Sequence, residues 1–254
     1  MKIGIQTRPW GPELNRAHLS DVLADIAGAG YDGFEIGAQH LDLAKPERLS
    51  HLAAGHGLSV VGIHVGGEIY DPQSVQAALD NLERIIAYAK AVGASFVPFS
   101  GKAKANKTGL ELQYTAESLN RIGRLCQKQG LALCYHNHYW EIENDCAELR
   151  HLCQHTDPAL VSLCLDVGWV QRAAGTPVAV VEEFLDRVGY FHIKDTSSAE
   201  WMEIGYGLVD FSALFKLIRG RYDGWLVVEQ DETRRQPLES AQMSLNYLEE
   251  QFNL

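Results

Sequence analysis

Eight short apolar runs recur along this chain at intervals of about 30 residues, with helix-sized segments between them. They are Lys2–Gln6, Gly33–Ile36, Ser59–Ile63, Phe96–Phe99, Ala132–His136, Ser162–Asp166, Tyr190–Ile193 and Leu226–Glu229. Runs this short, bounded by turn residues, read as strands buried on both faces. The intervening segments carry the helical period instead. Val75, Ala78, Leu79, Leu82, Ile85, Ile86 and Ala89 form one stripe, and Leu119, Ile122, Leu125 and Cys126 another that Gly130 ends. Ala241, Leu245, Leu248 and Phe252 mark the last helix. Two helix-to-strand corners repeat the same letters, Tyr31-Asp32-Gly33 and Tyr222-Asp223-Gly224, which suggests equivalent positions in one architecture.

Strand–helix alternation on this scale predicts a closed (β/α)8 TIM barrel spanning residues 1–254 as one domain. An open doubly wound sheet would carry a glycine-rich phosphate loop after its first strand. Here that position reads Gln6-Thr7-Arg8-Pro9-Trp10-Gly11. The chain's 254 residues, 46% of them hydrophobic, suffice for such a core. A net charge of −11 and the lack of a basic patch argue against a nucleic-acid partner. No run reaches membrane-spanning length, so no membrane partner is expected. The N-terminal apolar run is too short for a signal peptide. Five cysteines without a CxxC pair suit a reducing compartment, and the protein reads as cytoplasmic.

In a parallel barrel, chemistry sits at the C-terminal ends of the strands. Four consecutive runs there end on metal-capable side chains: His136, Asp166, His192 and Glu229. Neighbouring strands lie roughly 4.8 Å apart, so four ends in a curved row can surround one cation. Two imidazoles with two carboxylates suit manganese, cobalt, iron or zinc better than calcium. Three of the four positions have an alternative. Asp166 could cap the following helix, His192 could be a hydrogen-bonded core histidine, and His138 shares strand parity with His136 and competes for its role.

Other groups gather at the same rim. Glu35 and His64 close the second and third strands and could contact a bound substrate, although Glu35 could instead serve a salt bridge inside the rim. Lys194 follows His192 by two residues and shares its face; the alternative is a pair with Asp195. Trp10, Trp140, Trp169 and Trp201 fall in rim loops, where they could wall a pocket or fill gaps; Trp169 is the expected substrate contact. The basic segment from Ser100 to Lys107 reads as a solvated loop more readily than as a phosphate site.

These residues carry a family resemblance. Tyr31-Asp32-Gly33-Phe34-Glu35, Tyr135-His136-Asn137-His138, Leu165-Asp166-Val167-Gly168, Phe191-His192-Ile193-Lys194-Asp195, Gly205 to Phe211 and Val228-Glu229-Gln230-Asp231 occur in an order that resembles the xylose isomerase-like TIM-barrel superfamily, in its sugar-phosphate isomerase/epimerase branch. The resemblance implies one divalent ion, manganese first, with cobalt, iron, zinc or magnesium as alternatives. It also implies a Glu, Asp, His, Glu ligand set. Asp166, His192 and Glu229 match, whereas His136 stands where the family carries its first Glu. The same departure, within a YHxH string, is similar to inosose-dehydratase-like members. Trp169 stands where epimerases often carry a His.

The resemblance implies an isomerase or epimerase on a small keto-sugar or keto-polyol, working by proton abstraction beside a carbonyl. The alternative is a lyase or dehydratase on a keto-inositol or 3-keto-sugar. Glu229 is the expected base. With the first Glu missing, His138 is the expected opposite acid/base, with Glu141 and Lys194 in reserve. Phosphodiester cleavage, as in endonuclease relatives, conflicts with the acidic charge. A non-catalytic sugar-binding subunit would follow if the four ligand positions held no metal. Barrels of this kind often pair, so a homodimer is one assembly open to this chain, and the sequence does not fix the oligomeric state.

Overall fold

The eight apolar runs become eight parallel strands that close on one another. The computed structural model describes residues 1–252, except the side chains at positions 74 and 77. The barrel strands are β1 (Lys2–Gln6), β2 (Gly33–Gly37), β3 (Ser59–Gly67), β4 (Phe96–Gly101), β5 (Ala132–His136), β6 (Val161–Asp166), β7 (Val188–Ile193) and β10 (Trp225–Val228). Two short strands, β8 (Asp195–Thr196) and β9 (Trp201–Met202), pair antiparallel as a hairpin at the rim. The ring runs β1-β10-β7-β6-β5-β4-β3-β2 and closes by parallel pairing of β1 with both β2 and β10. This is a (β/α)8 TIM barrel.

Strand starts follow the apolar runs closely, and the ends differ for local reasons. β3 runs on to Gly67 because Val65, Gly66 and Gly67 pair with Phe99, Ser100 and Gly101 of β4. Glu229 lies one residue beyond β10, but its N–H still donates to the Ile193 carbonyl, so the strand direction is kept. The three striped segments form helices Pro72–Ala91, Gly109–Lys128 and Pro237–Phe252. Thr108 and Glu111 cap the second of these reciprocally. Both Tyr-Asp-Gly corners anchor the first strand: Asp32 accepts the Ile3 N–H at 2.8 Å, and Asp223 accepts the terminal ammonium of Met1 at 2.9 Å.

Inside the barrel, Val61, Cys134, Cys164, Tyr190 and Val227 fill the axis below the rim. Gly33 is required where β2 approaches its neighbour, since a Cβ there would meet the Ser59 carbonyl oxygen at 2.5 Å. All five cysteines are free, and four are buried, as expected of small core residues. Among the described residues, no helix is long and apolar enough to cross a membrane.

Candidate metal centre and active site

Parallel register turns successive strand ends into a common floor. His136 pairs across with Cys164, and Asp166 with His192, so the ends of β5, β6 and β7 rise to similar heights. His136, Asp166, His192 and Glu229 each offer a ligand atom, and all four atoms lie within 4.8 Å of one another. All four residues are buried. His136 Nε2 faces Asp166 Oδ2 at 3.3 Å and Glu229 Oε2 at 3.4 Å. His192 Nδ1 faces the same Glu229 oxygen at 2.8 Å. Asp166 fills both roles open to it: Oδ1 caps the next helix through the Trp169 N–H at 2.9 Å, while Oδ2 points into the cluster.

Such a donor set fits a divalent cation. Two imidazole nitrogens and two carboxylate oxygens aim at one dry point, a costly arrangement without positive charge between them. The electrostatics agree. Burial opposes charge on His192, yet Cys164, Glu35 and Glu229 outweigh it and hold the imidazole pKa well above its ordinary value. Burial likewise opposes charge on His136, and its bonds to Asp166 and Glu229 raise it. Glu229 is held well below the usual carboxylate range despite burial, by Lys194 and His192. Burial pushes Asp166 the other way, upward, with Lys194 and His136 opposing.

Lys194 is fully buried beside the cluster. Its Nζ contacts Asp231 at 2.5 Å, Glu229 at 3.6 Å and Asp166 at 3.7 Å. The alternative pairing with Asp195 does not form. Asp195 instead accepts four backbone N–H groups, from Thr196, Gly205, Gly207 and Val209. Burial disfavours the Lys194 ammonium, but Glu229, Asp166 and Asp231 together raise its pKa. The Trp201 and Trp169 rings lie 4.0 Å and 4.8 Å from Nζ, and the Arg172 guanidinium packs 3.6 Å from the Trp201 ring. Trp201 sits on the hairpin, so an aromatic and cationic cluster lies over Lys194.

His138 stacks on Trp140 at 4.4 Å and meets His136 edge-on at 4.8 Å. Burial and the nearby His136 push its pKa down to about 2, so the ring is neutral. Its Nδ1 has no partner. Glu141 lies behind this group: it accepts the Tyr135 hydroxyl at 2.6 Å and the His138 backbone N–H at 2.8 Å.

Glu35 and His64 are drawn into the same cluster. Glu35 is fully buried and accepts from Tyr190 Oη at 2.6 Å and His192 Nε2 at 2.9 Å, with His64 Nδ1 at 2.8 Å on its other oxygen. His64 Nε2 meets Ser100 Oγ at 2.8 Å, and Ser100 Oγ meets His136 Nδ1 at 3.2 Å. Sequence places Asp231 at the same strand end as Glu229 without giving it a role, and it does not mark Tyr190 as a site residue. Tyr190 counted as part of an apolar run, but it precedes His192 by two residues, and that parity was the available signal. The basic loop after β4 is neutralised by ion pairs of Lys104 with Glu111 and Lys107 with Glu148. It walls a cavity of about 550 Å³ shared with Tyr139, Trp140 and His151.

A closed eight-stranded barrel with a buried His-Asp-His-Glu cluster at its C-terminal mouth defines a class of candidate metal enzymes. Residues 23–251 match the model of the xylose isomerase-like TIM barrel family, and the chain belongs to that family. An inosose dehydratase from Lactiplantibacillus plantarum is 28% identical over 269 residues, covering 92% of this chain and 88% of its own. The solved sugar phosphate isomerase/epimerase from Parabacteroides distasonis superposes with a TM-score of 0.82 at 22% identity, over 99% of this chain and 94% of that one. A 3-keto-D-glucoside 4-epimerase from E. coli does so with a TM-score of 0.79 at 20% identity, over 98% of this chain and 99% of that one.

Proposed function

We propose that this protein is a divalent-metal-dependent lyase that removes water from a small keto-polyol, such as a keto-inositol, or expels the aglycone of a 3-keto-glucoside by elimination. His136, Asp166, His192 and Glu229 would hold the ion, manganese first among cobalt, iron, zinc and magnesium. Such an ion supplies Lewis acidity at a substrate carbonyl, stabilising negative charge that develops on its oxygen. Glu229, kept ionised, takes the proton from the carbon beside that carbonyl. The β C–O bond then breaks, a C=C bond forms, and Lys194 Nζ protonates the departing oxygen, giving water or the aglycone alcohol. Trp169 and Trp201 shield the pocket from bulk solvent.

The observation carrying this reading is that base and acid are adjacent. Lys194 Nζ lies 3.6 Å from Glu229 Oε2, a pairing suited to taking a proton and returning it to a leaving group on one face of the substrate. The inosose dehydratases among the relatives support it. An isomerase or epimerase is the second reading, because it needs a proton carrier opposite Glu229. The unpartnered Nδ1 of His138 is the observation that favours it, while burial, which pushes that imidazole down to about 2, opposes it as a proton carrier. Incubating keto-inositols and 3-keto-glucosides with Mn²⁺ in D₂O separates the two by NMR and mass. Loss of water or aglycone supports the lyase; deuterium uptake at constant mass supports the epimerase. No conversion of either class, with metal bound, refutes both.

A further inference from the structure

Glu35 and His64 invite a direct role in holding sugar hydroxyls, but their hydrogen bonds face inward. Glu35 is fully buried, and both of its oxygens are taken by Tyr190, His192 and His64. Following the donors gives two arms that converge on Glu35. A carboxylate only accepts, so His192 donates from Nε2 and His64 donates from Nδ1. His64 Nε2 is then bare and accepts the Ser100 hydroxyl at 2.8 Å. The Ser100 oxygen in turn accepts from His136 Nδ1 at 3.2 Å. The chain therefore runs His136, Ser100, His64, Glu35, His192, and it joins the two imidazoles of the cluster from behind.

We propose that Glu35, His64 and Ser100 act as one positioning relay that sets which nitrogen each imidazole presents to the metal. This rests on the metal-centre reading above. With His136 Nδ1–H committed to Ser100, the nitrogen left for the cation is Nε2, which already faces Asp166 and Glu229 at 3.3 Å and 3.4 Å. With His192 Nε2–H committed to Glu35, the nitrogen left is Nδ1, which faces Glu229 at 2.8 Å. The two histidines thus offer opposite ring nitrogens, and one hydrogen-bonded path enforces both choices. Tyr190 fixes the far end by donating to the same Glu35 oxygen as His192. Outer partners of this kind fix ring orientation and typically shift metal affinity by ten- to a hundredfold.

The relay is tested with Ser100→Ala and Glu35→Gln in the full chain. Mn²⁺ affinity is read by electron paramagnetic resonance, and histidine protonation by ¹⁵N–¹H correlation spectra of metal-free and Zn²⁺-loaded protein. Ser100→Ala is expected to lose roughly ten- to a hundredfold in Mn²⁺ affinity with little change in thermal midpoint. Glu35→Gln is expected to lose more. In wild type, His64 should carry its proton on Nδ1 in the metal-free protein. In the Zn²⁺ form, His136 should be protonated on Nδ1 and His192 on Nε2. Unchanged Mn²⁺ affinity in Ser100→Ala, or a proton on His64 Nε2, overturns the relay. A wild-type protein that takes up no metal would sink the metal-centre reading, while the His64 tautomer would still decide whether the relay exists.

Discussion

Replacing Asp195 by Asn should destabilise the protein far more than a one-atom change suggests. The Asp195 carboxylate accepts Thr196 N–H at 2.8 Å and Val209 N–H at 3.1 Å on Oδ1, and Gly205 N–H at 3.0 Å and Gly207 N–H at 2.8 Å on Oδ2. An asparagine has one acceptor oxygen, so whichever way its amide turns, two backbone donors face an NH₂ group. Each hydrogen bond to a charged acceptor is worth roughly 1.5–3 kcal/mol, so the loss is roughly 3–6 kcal/mol. The damage is local in the first instance, because those four donors fold the segment between β8 and the helix Phe211–Ile218, which carries Trp201 over Lys194. Urea unfolding followed by circular dichroism measures the loss. Hydrogen exchange at the Gly205, Gly207 and Val209 amides locates it. A midpoint corresponding to less than about 1 kcal/mol, with those amides still protected, would show that the carboxylate is not the organiser of this segment.

Three further outcomes are expected. Burial, with Glu148 adding to it, pushes Glu141 up to about 7 from an ordinary 4.5. The folded state therefore keeps that proton longer than the unfolded chain, and stability falls as pH rises from about 4.5 to about 7, by up to roughly 3 kcal/mol. Glu141→Gln should flatten that stretch of the urea-midpoint profile, and a parallel profile would contradict the assignment. Metal uptake should release protons and tighten as pH rises, since His136 and His192 are both held above the ordinary imidazole value and must lose a proton to bind; a metal affinity independent of pH would be the contrary result. Trp201→Ala should open the mouth, because the ring lies between contacts to Arg172 and Lys194; acrylamide quenching of the remaining tryptophans should increase, and unchanged quenching would mean that Trp201 covers nothing.

The convergence of the His-Asp-His-Glu cluster was legible because each residue ends its own apolar run. His136, Asp166 and His192 needed only the strand assignment and parallel register to converge, and Glu229 followed one residue past β10. Lys194 was legible by two-residue parity with His192, but its partner was not. The sequence neighbour Asp195 turns to its own loop, and the ammonium reaches across to Asp231, 37 residues away. Sequence proximity failed there because four backbone donors outcompete one ammonium for the Asp195 carboxylate.

The supporting half was hidden for a different reason. Tyr190 and Glu35 are 155 residues apart, and His192 and Glu35 are 157 apart. These contacts exist only once β1 has paired with both β2 and β10 and the sheet has become a ring. In an open sheet, β2 and β7 would lie at a distance from each other and Glu35 would be a buried acid with His64 of β3 as its one partner and Oε2 bare, which is costly. Closure makes that buried carboxylate affordable by bringing two donors of β7, Tyr190 and His192, to join His64 of neighbouring β3. The same closure orients the imidazoles before any cation arrives. A barrel that failed to close would thus lose the metal centre through Glu35 even with all four ligand residues intact. This predicts that substitutions at Gly33, where a Cβ would press on Ser59 and push β2 from β3, weaken metal binding in a chain whose ligands are untouched.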